Sequence, residues 1–547
     1  MTFQQSPPEL SNQYHDDSVL KSYLLKALPP EVLSDIEESL SRMGALAAGE
    51  LWQLQLADRL NEPTLTHWDA WGNRIDRIEH TRLWRRAETI AAREGLVATA
   101  YERAYGRYSR LHQFALVYLF TPSSDIYSCP LAMTDAAAKT LLLSSNQPLI
   151  ERAVPHLTSR DPEHFWTSGQ WMTEAVGGSD VSRTETVARC SEDGTWRLYG
   201  RKWFTSAAAS QIALTLARPE GQGAGGQNLA LFLVETRDAE GHLANIRIDR
   251  LKDKLGTRKL PTAELTLEGT PAQPVYGTTD GVKNISPMLN VTRLWNGVSA
   301  ISLMRRGLAL VGDFANKRIV FGAPLSQKPL HRYLISGLQA EFEGAFHLTF
   351  RVAELMGTEE CDETSEHDQI LLRLLTPIMK LTTAKQAVAV LSEVLEAFGG
   401  AGYVEDTGLP VLLRDAQVLP IWEGTTDVLA LDMLRVLSQQ GSSAALKREL
   451  ERCSATLDEG DLSAAMNEAQ SAVEGALAWF ESTSHGDREA HESRARSVAL
   501  TLGRALEIAL LSHHAQWEIA NGSHTGGSSV SAVRLSRQLR RSAWTAS

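Results

Sequence analysis

The sequence predicts an α+β protein of several domains, helical at both ends with a β-rich segment between. Apolar residues recur at helical spacing from Val19 to about Ala57, resume over Thr81–Tyr118, and return in the long helix that opens at Asn290. From about Trp166 to Asp280 that spacing gives way to short apolar, β-branched or aromatic runs separated by glycine-containing turns. A chain of 547 residues, 43% of them hydrophobic, is too long for one ordinary core and has enough apolar side chains for several. The expected divisions are a helical domain over 1–165, a β domain over 166–280, a helical bundle over 281–440 and an extra helical region with a basic tail over 441–547.

In the first domain Leu20, Leu24, Leu25 and Leu28 share one helix face, and Pro29-Pro30 divides the Val19–Ala57 stretch into two helices. The segment reads as all-helical. Turn formers and two tryptophans, Trp68 and Trp71, interrupt the pattern between Leu65 and Asn73, and both tryptophans are expected to anchor packing. Ser128-Cys-Pro-Leu-Ala-Met-Thr134 opens another helix, with Pro130 near its start and Ser128 or Thr134 as cap.

In the β domain, strands are expected at Thr195–Leu198, Ile212–Ala217, Leu229–Val234 and Ala263–Leu267, with the glycine-rich Glu220–Gln227 as a hairpin loop. Two strings stand out: Thr173-Glu-Ala-Val-Gly-Gly-Ser-Asp180 and Gly200-Arg-Lys-Trp-Phe-Thr-Ser206. The first combines hydroxyls with a glycine pair, as a loop needs to bring amides and OH groups against a polar ligand edge. No Walker loop and no GxGxxG between strand and helix occur, so a Rossmann domain is not supported.

In the bundle, Arg318-Ile-Val-Phe-Gly-Ala-Pro-Leu325 reads as a cationic helix end and a turn. Val388, Leu391, Leu395 and Phe398 keep helical spacing until Gly399-Gly400 stops the helix. Ile421-Trp-Glu-Gly-Thr-Thr426 then sets one carboxylate between apolar residues and a glycine. The glycine admits a ligand close to the backbone, and apolar flanks would desolvate Glu423 towards a base usable near neutrality. Beyond the Gly441–Ser443 linker, helices are expected at Leu446–Leu457, Leu462–Phe480 and Arg488–Ala520. Arg534, Arg537, Arg540 and Arg541 then form a dense basic patch, read as a solvated tail after a flexible Asn521–Ser529.

A formal net charge of −12 disfavours broad attraction to nucleic acid or anionic membrane, so DNA binding should be weak or absent and rest on that tail. Cys129, Cys190, Cys361 and Cys453 show no metal spacing, and adjacent His513-His514 cannot both ligate from one helix face, so no metal is assigned. The polar, acidic N-terminus resembles neither a secretory signal nor a transit peptide, the last residues Thr545-Ala546-Ser547 form no peroxisomal address, and no run is long and apolar enough to span a membrane. The expected location is cytoplasmic.

Taken in order, the TE..GGSD, GRKWFTS, RIVFGAPL, FGGAGY and WEGTTD strings resemble the acyl-CoA dehydrogenase family, firmly over Ser128–Leu437. The SCPLAMT segment, and Lys328-Pro329 where most members carry a His-Gln pair, resemble its AidB-like branch. The resemblance implies FAD held by Met172, Thr173, Gly178, Ser179, Trp203, Phe204, Thr205, Gly399, Gly400 and Thr425, with Arg318 and Phe321 reaching the FAD of a neighbouring subunit in a homotetramer. It also implies an acyl-CoA substrate near Arg293, Glu423 and Gly424, and an electron-transfer flavoprotein or other acceptor as partner. Glu423 would be the base for α,β-dehydrogenation. Some members carry the base just before the arginine of the substrate helix, where this chain has Thr292, which cannot serve. After Lys-Leu-Gly256 the sequence departs from the family pattern with Thr257-Arg-Lys-Leu-Pro261. Two alternatives remain on the same scaffold: a flavoprotein that sequesters acyl-CoA or protects DNA with little turnover, and a flavin monooxygenase or nitroalkane oxidase. The oxidase alternative is weakened because those relatives use aspartate as base.

Overall fold

The computed structural model describes residues 5–483, 488–522 and 527–542. The C-terminal Thr545-Ala546-Ser547, the first four residues and residues 523–526 of the expected flexible linker lie outside the described residues. The chain divides into two compact units, one made of Met1–Glu50, Arg103–Pro122 and Asn296–Ser547, the other of Leu51–Glu102 and Ser123–Trp295.

The second unit holds the β structure. Strands β1 (Thr64–Trp68) and β2 (Arg74–Glu79) form a hairpin. The larger sheet contains β3 (Ser168–Trp171), β4 (Val187–Cys190), β5 (Trp196–Ser206), β6 (Ile212–Pro219), β7 (Ala230–Glu235), β8 (Ile246–Leu251) and β9 (Thr262–Pro274). Pairing runs from β6 through β4, β5, β9 and β7 back to β6, closing a barrel that β3 and β8 flank. Closure leaves few unpaired edges. Its interior is apolar, with Trp171, Leu198, Phe232, Ile248 and Leu265 buried. The expected β6 and β7 pair antiparallel around the glycine-rich loop, as the hairpin reading requires.

The Val19–Ala57 stretch is helical as expected, but the helical domain expected over 1–165 also contains the β1 and β2 strands of the hairpin. Their alternation is masked by charge, yet Leu65 and Ile78 pack on the barrel core. Asp76 secures the hairpin, accepting hydrogen bonds from Ile248 N at 2.9 Å and Arg74 Nε at 2.8 Å. The two tryptophans do not anchor packing: Trp71 is 90% exposed and Trp68 55% exposed, lying at the hairpin's turn end rather than over the core. Nor does Thr134 cap a helix. It lies inside Ser128–Ser144, donates to Pro130 O at 2.7 Å and accepts from Ser168 N at 3.0 Å, docking β3 on that helix. Ser128 makes no cap bond either, since the cap position is Tyr127.

The first unit is helical. Helix Ser18–Ala27 is capped by Asp17, which accepts from Leu20 N at 2.9 Å, and the next helix starts at Pro30, where a missing N–H costs nothing. Pro329–Glu360 and Glu366–Ala397 form the centre of the bundle. Arg110 reaches Glu360 through two bonds of 2.6 and 2.8 Å and joins helix Ser109–Phe120 to it. Helices Ser442–Ser454, Asp461–Thr483, Ala495–Ala520 and Gly527–Ser542 pack in the same unit. Helix Ala495–Ala520 approaches Glu366–Ala397 closely, for a Cβ on Gly503 would lie 2.1 Å from Thr382 Oγ1.

The basic segment is not a solvated tail. It forms helix Gly527–Ser542, with Ala532, Leu535 and Leu539 buried. Arg534 donates to Tyr333 O at 2.8 Å and lies 4.2 Å from the Tyr333 ring centroid, and Arg540 pairs with Glu468 at 2.8 Å. The side chain of Arg541 lies outside the described residues.

Candidate active site

In the β-containing unit, the two signature strings are bonded to each other. Trp203 N donates to Thr173 O at 2.9 Å, and the turn after Thr173 is closed by reciprocal bonds between Glu174 and Gly177 at 3.2 and 3.1 Å. Beneath it, Glu174 accepts from Lys202 Nζ at 2.7 Å, Thr186 Oγ1 at 2.6 Å and Glu185 N at 2.7 Å, while Lys202 also donates to Leu216 O at 2.8 Å. Lys202 has no exposed surface and Glu174 only 4%. Burial opposes the charge on Glu174, but Lys202 and the hydroxyl and amide donors outweigh it and hold the carboxyl below the usual range. Both residues lie inside the recognised strings without having been assigned a role. A lysine within an apolar strand pattern was the available signal.

This buried pair fixes the loop that carries the expected ligand contacts. Met172 is buried, Thr173 and Trp203 are half-buried, and Ser179 is exposed. A Cβ on Gly178 would lie 3.0 Å from Thr173 Cγ2, so the loop folds tightly against its own hydroxyl residue. Phe204 is 49% exposed, and Lys252 Nζ stands 3.7 Å from the Trp203 ring centroid and 4.5 Å from that of Phe204. Thr205 differs from its neighbours. It is fully buried and its hydroxyl donates to Ala263 O at 2.6 Å, so as folded it ties β5 to β9 rather than presenting a donor. Arg293 is buried, and Thr292 turns its hydroxyl back to Met288 O at 3.2 Å.

In the helical unit, Glu423 and Gly424 have φ of 57° and 99°. Successive left-handed residues make a sharp turn, and for a glutamate that conformation is strained, as at many functional sites. Two contacts hold it. Fully buried Lys380 donates to Gly424 O at 2.7 Å, and Thr425 caps helix Thr426–Leu437 by accepting from Val428 N at 3.4 Å. The Thr425 hydroxyl hydrogen and the first amides of that helix stay available to an anionic or carbonyl ligand. Only part of the expected apolar flank is present: Trp422 is half-buried, but Ile421 is 61% exposed and does not shield Glu423.

Gly399 has φ of 61° and ends the long helix, whereas a Cβ on Gly400 would meet nothing within 4 Å. The pair does not lie beside Lys380, which stands well inside helix Glu366–Ala397, roughly 25 Å of helix from its C-terminal end. Nearby, Phe314 and Phe398 stack at 4.8 Å, setting the end of helix Ser286–Lys317 beside the glycine pair. From there Arg318 leads into a hairpin of β10 (Ile319–Val320) and β11 (Ala323–Pro324), whose turn holds Phe321 with φ of 46° and 100% exposed.

Comparisons with known proteins match three successive parts of the chain. Residues 4–163 match the N-terminal domain of the adaptive response protein AidB, 169–270 the acyl-CoA dehydrogenase middle domain, and 279–438 the acyl-CoA dehydrogenase C-terminal domain. Acyl-CoA dehydrogenase family member 11 of Caenorhabditis elegans is 42% identical over 531 residues, covering 94% of this chain and 86% of that protein. AidB of Escherichia coli (strain K12) is 32% identical over 446 residues, 79% of each chain. The crystal structure of Caenorhabditis elegans ACDH-11 in complex with C11-CoA superposes with a TM-score of 0.95 at 40% identity, over 98% of this chain and 92% of that one.

Proposed function

Because the chain belongs to the acyl-CoA dehydrogenase family, with an AidB-type N-terminal domain, we propose that it is an FAD-dependent oxidoreductase that forms the α,β double bond of an acyl-CoA thioester, with Glu423 as base. The observation that carries the reading is the anchored left-handed turn at Glu423-Gly424, which holds one carboxylate at a fixed place before a helix N-terminus.

The residues fit the cofactor. The aromatic pair Trp203–Phe204 lies on β5 under the Lys252 ammonium, beside the Thr173 turn that Trp203 bonds, and Thr425 has a free hydroxyl hydrogen above helical amides. The candidate FAD contacts are Met172, Thr173, Gly178, Ser179, Trp203 and Phe204 within the β-containing unit and, separately, Gly399, Gly400 and Thr425 within the helical unit. When bound, FAD supplies the acceptor for the β hydrogen, which leaves as hydride.

Glu423 takes the α proton, and the electron pair of that C–H bond becomes the new π bond as hydride leaves the β carbon. Its backbone N–H, donating to the thioester carbonyl, would stabilise negative charge as it develops there. Lys380 holds the turn still while this happens. Arg293 belongs to the substrate side. Phe321 and Ile319, 100% and 59% exposed, support burial of this hairpin against a second copy, with Arg318 reaching a neighbour's FAD in a homotetramer. Among the described residues no helix is long and apolar enough to cross a membrane, and we assign a cytoplasmic location with an electron-transfer flavoprotein or other acceptor as partner.

A relative solved with C11-CoA bound, together with the AidB-type N-terminal domain, supports a second reading in which the chain retains acyl-CoA with little turnover. Anaerobic titration of the yellow protein with acyl-CoAs of increasing length separates the two. Bleaching of the flavin supports dehydrogenation. Tight binding without bleaching at every length supports retention.

A further inference from the structure

The helical unit contains a cavity of about 120 Å³ that the proposed reaction does not use. It lies among helices Ser18–Ala27, Pro329–Glu360, Ser442–Ser454 and Ala495–Ala520, and Lys26, Arg351, Arg452, His347, His513 and His514 line it. Apolar cavities of roughly 150 Å³ admit benzene, so this volume suits a ligand of about five or six non-hydrogen atoms. Its wall mixes those charged and imidazole groups with Tyr23, Ala27 and Leu510.

The three cations of that wall are not equally paired. Arg351 and Arg452 share Glu449 at 2.9 and 2.7 Å, and Arg351 also meets Glu354 at 3.0 Å. Lys26 has no carboxylate within 4 Å among the described residues; its ammonium donates only to His513 O at 3.3 Å. Glu518 also acts on Lys26 but is bonded to Ser22, so of the three cations Lys26 alone lacks a direct ion pair among the described residues. Burial, followed by repulsion from Arg452, lowers the Lys26 pKa to about 8, a cost that an anion beside it would relieve.

Two imidazoles complete the site. His347 and His514 are 3% and 2% exposed, with ring centroids 4.5 Å apart. His347 Nε2 and His514 Nδ1 are buried atoms with no hydrogen-bond partner, and such atoms are costly unless something binds them. The hydrogen bonds assign the His514 tautomer. Ser22 Oγ donates to Glu518 Oε1 at 2.7 Å, so at 2.9 Å it accepts from His514 Nε2–H, and His514 Nδ1 is left as an acceptor. Burial lowers the pKa of His347, His513 and His514, so all three rings are neutral near pH 7 and act through hydrogen bonds. His513 Nδ1 faces Thr456 Oγ1 at 3.3 Å, and no group of these residues has the arrangement of a metal site among the described residues.

We propose that this cavity binds a small oxyanion that retains an O–H, of the hydrogen phosphate type. Lys26 Nζ pairs with its negative oxygen, His347 Nε2–H donates to a second oxygen, and the ligand O–H donates to His514 Nδ1. The bound ion bridges the N-terminal helix to the terminal helices and stabilises their packing, since it binds the folded chain only.

Equilibrium dialysis of the full-length protein with radiolabelled inorganic phosphate at constant ionic strength tests this, with sulfate as the competitor that lacks an O–H. Expected are one saturable phosphate per chain at millimolar concentration, weaker competition by sulfate, and about tenfold or greater weakening in Lys26→Met, the loss of one charged hydrogen bond. Lys26→Arg, which keeps the charge, retains part of the affinity, so a folding defect in Lys26→Met is distinguishable. Arsenate soaked into crystals gives an anomalous peak between residues 26 and 347. Absence of saturable binding, unchanged binding in Lys26→Met, or a peak elsewhere on the protein overturns the proposal.

Discussion

Replacing Lys202 by Met leaves the Glu174 carboxylate buried without its cation. The methionine fills the lysine stem's volume, so the perturbation is mainly electrostatic. Glu174 keeps the Thr186 hydroxyl and the Glu185 amide, but Leu216 O also loses its donor. Removing one partner of a buried ion pair costs about 3–5 kcal/mol, and a buried carbonyl left unbonded costs about 1–3 kcal/mol. For a unit of this size that corresponds to a fall on the order of 10 °C in apparent Tm. Because the pair also anchors the Thr173 turn to Trp203, FAD retention should weaken with it. The pH dependence gives an independent check. The folded-state pKa of Glu174 is depressed, so its stabilisation is present above the ordinary value of 4.5 and is lost as pH falls through the folded value. The gap between the two proteins should therefore close in acid. Thermal unfolding followed by tryptophan fluorescence, with flavin release recorded on the same samples, measures all three effects. A second change, Glu174→Gln, removes the stranded charge and should recover part of the loss. A Lys202→Met protein within about 1 kcal/mol of wild type at neutral pH, with FAD retained, would refute the reasoning.

Two further substitutions test separate parts of the account. Gly424→Ala places a Cβ 3.1 Å from Leu429 Cδ2 at φ of 99°, so a strain of about 1–2 kcal/mol should shift the turn and slow flavin reduction at least about tenfold with FAD still bound. Gly475→Ala, in helix Asp461–Thr483 and meeting no atom within 4 Å, serves as the control, and stopped-flow absorbance reads both. Arg534→Ala removes the stack on Tyr333 and the bond to its carbonyl; chemical denaturation should show a loss of about 1–2 kcal/mol.

Much of the architecture was legible because its local signals agreed. The divided N-terminal helices follow from Pro29-Pro30, the β6–β7 hairpin from two apolar runs about a glycine-rich loop, and the helix stop from Gly399. Other elements exist only through their neighbours. Val187–Cys190 has no pattern of its own and becomes a strand by pairing with β5 and β6, while the β1–β2 hairpin depends on the barrel core beneath Leu65 and Ile78. The terminal arginines concealed a readable signal, since Ala532, Leu535 and Leu539 already kept helical spacing beneath them. In the site, the candidate ligand contacts could be named from short strings, but the residues that hold them in place could not. Lys380 lies 44 residues from Gly424 and Lys202 lies 28 from Glu174, distances over which a sequence gives no sign of contact.

The central claim is that Glu423 removes the α proton, and replacing it with Gln tests that most directly, since the amide preserves shape but accepts no proton. In anaerobic stopped-flow mixing with medium- and long-chain acyl-CoAs, flavin reduction in Glu423→Gln should be slower than in wild type by about two to four orders of magnitude, with FAD content and acyl-CoA binding unchanged. Equal reduction rates in the two proteins would contradict the assignment.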